Sequence, residues 1–387
     1  MVSKQQPSEL KIAFFSSTFD QYFLICFLFL TIIVALKLAK RAKSKGNLNL
    51  PPSPTKLPII GNLHQIGTLP YHSFRALSHK HGALMWLQLG KVQAIVVSSA
   101  YLTREIMKIH DKTFSNRHQT TAVKTLLYGG NDIGFGSYGE RWKQKRKICV
   151  LELLSQKRVH SFNLIRGEEA AEMVNKIREA SLSGASVNLS ELLTETTNNI
   201  ICKCVFGQKN QTKDSYNRVK ELARKIMIQL AVVTVGDYFP FLGWVDVLTG
   251  QIQKFKASSQ PLDALFDQVI AEHKRDKMEA HHPSSEKDFV DILLQLQDDG
   301  MPDFELTNDD IKIILLDMFV AGSDTTSSTL EWTMAELMRN PMKLKKTQEE
   351  LPPTDTHIDM TETYGLVTSK KVPLHLKPTL FSFESEC

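Results

Sequence analysis

From Thr307 onward the chain carries one run that constrains everything around it. Thr307 is suited to cap a helix, Asp309 and Asp310 follow in the first turn, apolar spacing continues to about Met338, and Asn340-Pro341 ends the pattern. The expected helix, residues 308–338, is about 45 Å long, enough to cross a whole domain. Its midpoint reads Ala321-Gly322-Ser323-Asp324-Thr325-Thr326. A glycine inside a helix costs about 1 kcal/mol relative to alanine. An acid and hydroxyls at the centre of a core helix need partners. A helix that keeps both at its midpoint is suited to face a cofactor or ligand. The plainer reading is a structural helix bent by its Ser and Thr side chains.

The 387 residues are 42% hydrophobic and 23% charged, which excludes a disordered chain, a collagen and a disulfide scaffold. The five cysteines (Cys26, Cys149, Cys202, Cys204 and Cys387) are irregularly spaced and suit a reducing compartment. The formal charge of +5 is unevenly spread: residues 21–104 hold ten basic side chains and no acidic one. The basic excess belongs to one block, so it is not the footprint of a nucleic-acid-binding face, and no nucleic-acid partner is expected.

Residues 21–36 carry no charge. Sixteen helical residues span about 24 Å, and a snorkelling Lys37 extends the usable span to residue 39. Lys40, Arg41, Lys43 and Lys45 follow at once, which puts that side in the cytosol. The reading is an uncleaved anchor over residues 21–39 behind a lumenal segment, residues 1–20. A signal peptide competes, but lysines flank its cleavage site around Ala39. Residues 40–60 form a basic, proline-rich linker: Leu50-Pro51-Pro52-Ser53-Pro54 and Leu57-Pro58 favour stiff, extended chain.

In the body, residues 83–89 and 92–97 are β-rich runs around Gly90-Lys91, which predicts a tight hairpin with glycine first. Residues 164–180, 189–206, 216–233 and 261–277 show helical spacing, and residues 277–287 read as a polar loop. Gly134-Phe135-Gly136-Ser137-Tyr138-Gly139 matches a dinucleotide fingerprint in letters only, because the residues before it are too broken for the required strand. The helix after it, residues 140–154, puts Trp142 and Arg146 on one face. An indole N–H beside a planar guanidinium suits a carboxylate. A solvated basic face with a tucked tryptophan explains the pair equally well. Cys202-Lys203-Cys204 lacks the second ligand pair of a zinc site, so no metal-ligating side chain is assigned. His281-His282 sits in the polar loop, and no Gly-x-Ser-x-Gly elbow is present.

Together these residues resemble a cytochrome P450 of the plant microsomal type. The resemblance runs through the anchor and basic stop, the strut ending in residues 57–62, and Trp142 with Arg146. It continues through Asp237-Tyr238-Phe239-Pro240 with Leu242-Gly243-Trp244, and above all Ala321 to Thr326. It implies a mainly α fold with small β-sheets, here incomplete and behind an N-terminal transmembrane helix. It also implies a haem held by a cysteine thiolate. Trp142 and Arg146 would bind a haem propionate, Ala321 and Gly322 would lie against the cofactor, with Gly322 leaving room for dioxygen, and Asp324 and Thr325 would relay protons. Residues 111–127, 227–244 and 365–367 would line a pocket for a small lipophilic substrate. Electrons would come from a membrane-bound, NADPH-dependent cytochrome P450 reductase at the endoplasmic reticulum.

One part of the family pattern is missing. The Phe and Gly that precede an Arg and the ligand Cys occur nowhere, and the bracing Glu-x-x-Arg helix is absent at its family position. The chain passes from Gln348-Glu349-Glu350, as in the helix after the central one, into Leu351-Pro352-Pro353 and soon into what resemble the family's C-terminal strands. The expectation is a partial body over residues 61–350, joined after a deletion to residues 351–387, with no ligand thiolate and little or no turnover. A membrane-anchored protein that binds the reductase or lipophilic ligands without chemistry is the alternative.

Overall fold

The computed structural model describes residues 28–29, 31–32, 50–207, 213–279, 287–302, 304–348, 362–363 and 369–378. Most of the expected anchor lies outside these residues. So do residues 40–49, His281-His282, the 350/351 junction, residues 365–367, Cys26 and Cys387. The chain divides into two units, Met1–Pro52 and Ser53–Cys387. In the first, residues 28–29 and 31–32 are helical, and the Thr31 hydroxyl donates to the Leu28 carbonyl at 2.8 Å. Among the described residues no single helix is long and apolar enough to cross a membrane.

The second unit opens with α1 (Pro70–His81) and a hairpin of β1 (Leu84–Leu89) and β2 (Val92–Val97), paired from Leu84↔Val97 to Leu89↔Val92. Met85, Leu87 and Leu89 alternate into a small core, as a half-buried strand requires. Gly90 turns the hairpin at φ +59, and an added Cβ there would lie 2.7 Å from the Tyr238 carbonyl oxygen, so both backbone and space call for glycine.

Helices dominate from there: α2 (Ala100–Arg104), α3 (Thr121–Leu126), α4 (Glu140–Ile148), α5 (Gln156–Ser161), α6 (Asn163–Ser183) and α7 (Leu189–Phe206). Then come α8 (Lys213–Leu230), α9 (Val235–Tyr238), α10 (Gly243–Leu248), α11 (Gln251–Glu279), α12 (Phe289–Asp299), α13 (Asn308–Arg339) and α14 (Pro341–Gln348). The helix expected over residues 140–154 is α4 followed by a π-helical turn, Cys149–Leu153. The helix expected to begin at Pro261 begins at Gln251 instead, with Pro261 inside it. Proline removes one backbone donor, but Phe255 and Ser258 before it and Leu262 and Phe266 after it are all buried, so packing carries the helix through.

α13 is the axis of the body. Its cap is a reciprocal box: the Thr307 hydroxyl accepts the Asp310 N–H at 3.2 Å, and Asp310 Oδ2 accepts the Thr307 N–H at 3.1 Å. α7 packs along α13, and Phe206, Phe266 and Phe319 join α7, α11 and α13 through ring pairs at 6.1 Å. Residues 311–316 are buried on every side, whereas the second half of α13 leaves one face open.

Among the described residues three two-stranded sheets complete the architecture: β1-β2, β3 (Val187–Asn188) with β6 (His375–Leu376), and β4 (Glu362–Thr363) with β5 (Ser369–Lys370). The C-terminal stretch is docked on the helices. The Leu189 N–H donates to the Leu374 carbonyl at 2.8 Å, the Leu374 N–H donates to Ser190 Oγ at 2.5 Å, and Leu374 packs with Leu189, Leu193 and Ala335. The fold is mainly helical with small sheets, as expected.

Candidate active site

The open face of α13 is a stripe at helical i,i+4 spacing: Ala321, Thr325, Thr329 and Thr333, all exposed. Each hydroxyl donates back to the carbonyl one turn earlier, Thr325 to Ala321 at 2.5 Å, Thr329 to Thr325 at 2.7 Å and Thr333 to Thr329 at 2.7 Å. Thr325, Thr329, Trp332, Thr333, Leu337 and Lys343 line a cavity of about 600 Å³ beside this stripe. From the C-terminal stretch, Lys370 Nζ stands 5.3 Å over the Trp332 ring. With its proton turned to the Ala321 carbonyl, the Thr325 oxygen faces the cavity as an acceptor for a water or a ligand hydroxyl.

Asp324, one residue earlier, points elsewhere. It lines a second cavity of about 270 Å³ between α7, α8 and α13, with Lys220 and Arg224 of α8. Burial pushes its carboxyl above the ordinary value, and the Arg224 charge pulls the other way. The two residues expected to share a proton relay therefore open onto separate cavities. Ala321 lies on the Thr325 face, whereas Gly322 turns toward α7: an added Cβ would stand 2.6 Å from Ile201 Cδ1. The missing side chain at Gly322 makes room for a neighbouring helix.

Trp142 and Arg146 share a face of α4, as their spacing predicts, with the guanidinium carbon 5.4 Å from the indole ring. The indole N–H is already donated to the Ile133 carbonyl at 3.0 Å, and Arg146 is exposed. Neither residue lines either cavity. Among the described residues no ion pair engages the Arg146 fork, which can take an anion, while Trp142 would have to give up a backbone hydrogen bond to offer its own.

A thiolate-held haem needs a deprotonated sulfur at an open position. The described thiols are Cys149, Cys202 and Cys204, all buried and free. Burial pushes each of them up to about 12, and none lines either cavity. The described residues therefore do not fit a haem-thiolate centre.

Among the described residues one other cluster has ligand chemistry: His273, Asp288 and Asp291. Asp288 and Asp291 form the capping box of α12, and His273 Nε2 lies 3.0 Å from Asp288 Oδ2. Burial lowers the imidazole's affinity for its proton, but the bond and charge of Asp288 prevail and push it up to about 9. The cluster is explained as a charged ion pair at a helix cap.

The sequence reading named Thr325 and Asp324 but missed Thr329 and Thr333, which an i,i+4 count from Thr325 reaches, and Trp332, which lies i+3 from Thr329. It also missed Lys220 and Arg224, whose own i,i+4 spacing was visible but whose partner surface was not.

A cytochrome P450 family model matches residues 51–361 of the chain. Phenylacetaldehyde oxime monooxygenase CYP71AN24 of Prunus mume is 48% identical over 334 residues, which cover 85% of this chain and 63% of that protein. Cytochrome P450 71A9 of Glycine max is 43% identical over 344 residues, covering 88% of this chain and 68% of that protein. Indoleacetaldoxime dehydratase of Arabidopsis thaliana is 40% identical, covering 84% of this chain and 64% of that protein. Among solved structures, a zebra fish cytochrome P450 with progesterone matches with a TM-score of 0.59 at 26% identity, covering 74% of this chain and 66% of that one. The chain thus spans about two thirds of the length of these relatives.

Proposed function

We propose, since this chain belongs to the cytochrome P450 family, that it is an internally deleted form of a plant microsomal monooxygenase and is inactive as it stands. The full-length form would use a haem-thiolate centre to insert one oxygen atom into a small lipophilic plant metabolite, with electrons passed from NADPH by a partner reductase. Two relatives are named for phenylacetaldehyde oxime and indoleacetaldoxime, so an arylacetaldoxime is the substrate class to test first.

The observation that carries inactivity is the state of the thiols: the three described ones are buried, pushed up to about 12 and away from the open face of α13. Two others support an internal loss at the 350/351 junction. The relatives exceed this chain in length although most of this chain aligns with them. The stretch beyond the junction still packs on the body through Leu374, as a native C-terminal segment would.

The reading places the chain at the endoplasmic reticulum membrane, anchored by residues 21–39 with the body in the cytosol. The basic cluster after the apolar run supports that orientation. Phe241, Trp244, Val247 and Leu248, all exposed in and beside α10, give the body an apolar ridge suited to a lipid surface. In that reading Trp142 and Arg146 belong to the propionate side of the lost centre and Ala321 and Thr325 to its oxygen side, while Gly322 and Asp324, on the same stretch of α13, face α7 and the second cavity.

A second reading, a membrane-anchored binder of lipophilic molecules, is favoured by the cavity of about 600 Å³ that persists beside Trp332 and Leu337. Inserting the corresponding segment of the Prunus mume relative between Glu350 and Leu351 tests the main proposal. The chimera is expected to gain a thiolate-type Soret band on reduction under carbon monoxide. A chimera that folds yet shows no such band overturns the proposal.

A further inference from the structure

We propose that the second cavity, between α7, α8 and α13, is a binding site for a small organic carboxylate with an apolar body. This does not rest on the function proposed above, because no haem takes part. The cavity measures about 270 Å³, the space of about nine waters at ~30 Å³ each, and would admit one small ring bearing a carboxylate.

Its walls divide by chemistry. Phe319 and Met227, both buried, supply an apolar side. Lys220 and Arg224 supply two cations on one face of α8, four residues apart. Among the described residues neither makes an ion pair, whereas the Glu221 carboxylate, which also lines the cavity, is engaged by Lys225 at 2.7 Å. Asp324 faces Arg224 across the cavity without closing a salt bridge on it.

Ser323 is the independent sign of an occupant. It is 3% exposed, lines the cavity, and its hydroxyl has no hydrogen-bond partner among the described residues. Buried hydroxyls are ordinarily bonded. A carboxylate seated between Lys220 and Arg224 would accept from both cations and from Ser323, while its ring or chain covers Phe319 and Met227. Binding would also reach α13. The Arg224 charge holds the Asp324 carboxyl down, and an anion on that guanidinium would let it rise further.

The test is calorimetric titration of the purified full chain with benzoate and with its neutral isostere benzamide. Benzoate is expected to bind, and benzamide at least about tenfold more weakly, as befits loss of charge-assisted bonds. Lys220→Gln and Arg224→Gln are each expected to weaken benzoate about tenfold or more. Lys157→Gln, on α5 and outside the cavity, is expected to leave it unchanged. Ser323→Ala is a small change that keeps the site testable should a charge variant fail to fold, and it is expected to weaken benzoate about threefold or more. No benzoate binding at millimolar concentration, equal binding of benzamide, or benzoate affinity indifferent to Ser323 and to whichever charge variants fold would each overturn the proposal.

Discussion

Ile201 of α7 fills the notch left by Gly322 of α13: a Cβ added to Gly322 would lie 2.6 Å from Ile201 Cδ1 and 3.1 Å from Cγ1. The missing side chain at Gly322 is what lets Ile201 sit there. Gly322→Val is expected to destabilise the body by about 1–3 kcal/mol through overpacking, despite valine's better helix propensity. Ile201→Ala in the same chain is expected to restore part of that loss. Urea unfolding of both single variants and the double variant measures the coupling, and additive effects would refute the contact.

Asp310 gathers charge at the start of the same helix. It is 1% exposed, accepts from Arg141 Nη2 at 2.6 Å and from the Thr307 hydroxyl at 2.7 Å, and lies 3.6 Å from the buried Lys145 ammonium. Burial works against its charge, but the Thr307 bonds and the Arg141 guanidinium prevail and hold its carboxyl below the ordinary value. Asp310→Asn is expected to cost about 3–5 kcal/mol at pH 7, because it leaves Lys145 buried beside a neutral amide. The stability that Asp310 contributes is present above the ordinary carboxylate value near 4 and is lost as pH falls through its lower native value. Unfolding at pH 7 and at pH 3 should therefore show a smaller gap between parent and variant in acid.

Asp317 behaves in the opposite sense. Burial and the nearby Asp132 carboxylate push it up to about 8, while its Oδ2 accepts the Ile133 N–H at 2.8 Å. The native state holds this proton more tightly than the unfolded chain does. Stability is therefore full below about pH 4 and falls by up to about 1.4 kcal/mol per unit as pH rises toward 8. Asp317→Asn is expected to remove that slope, which parallel unfolding curves from pH 5 to 8 would reveal. Equal slopes in parent and variant would refute it.

How far the sequence reached depended on whether the signal was local. Thr307, Asp310 and Asn340 mark the ends of the central helix by their own chemistry, so its span was legible to within a residue. Gly90 announced its hairpin for the same reason. Pro261 misled because a local rule yielded to buried neighbours on both sides. The site was legible as a stretch, Ala321 to Thr325, but not as a geometry. That Asp324 and Thr325 open onto different cavities and that Gly322 faces Ile201 depend on helices distant in sequence, and that the Trp142 N–H is spent on Ile133 depends on how the irregular loop before α4 folds back.

The most direct measurement of the central claim is the carbon-monoxide difference spectrum of the reduced chain in membranes, read beside its porphyrin content. With Cys149, Cys202 and Cys204 buried and pushed up to about 12, no red-shifted Soret band of the thiolate type and no stoichiometric porphyrin are expected. A stoichiometric thiolate-type band that disappears when any one of the five cysteines is replaced by serine would contradict the account.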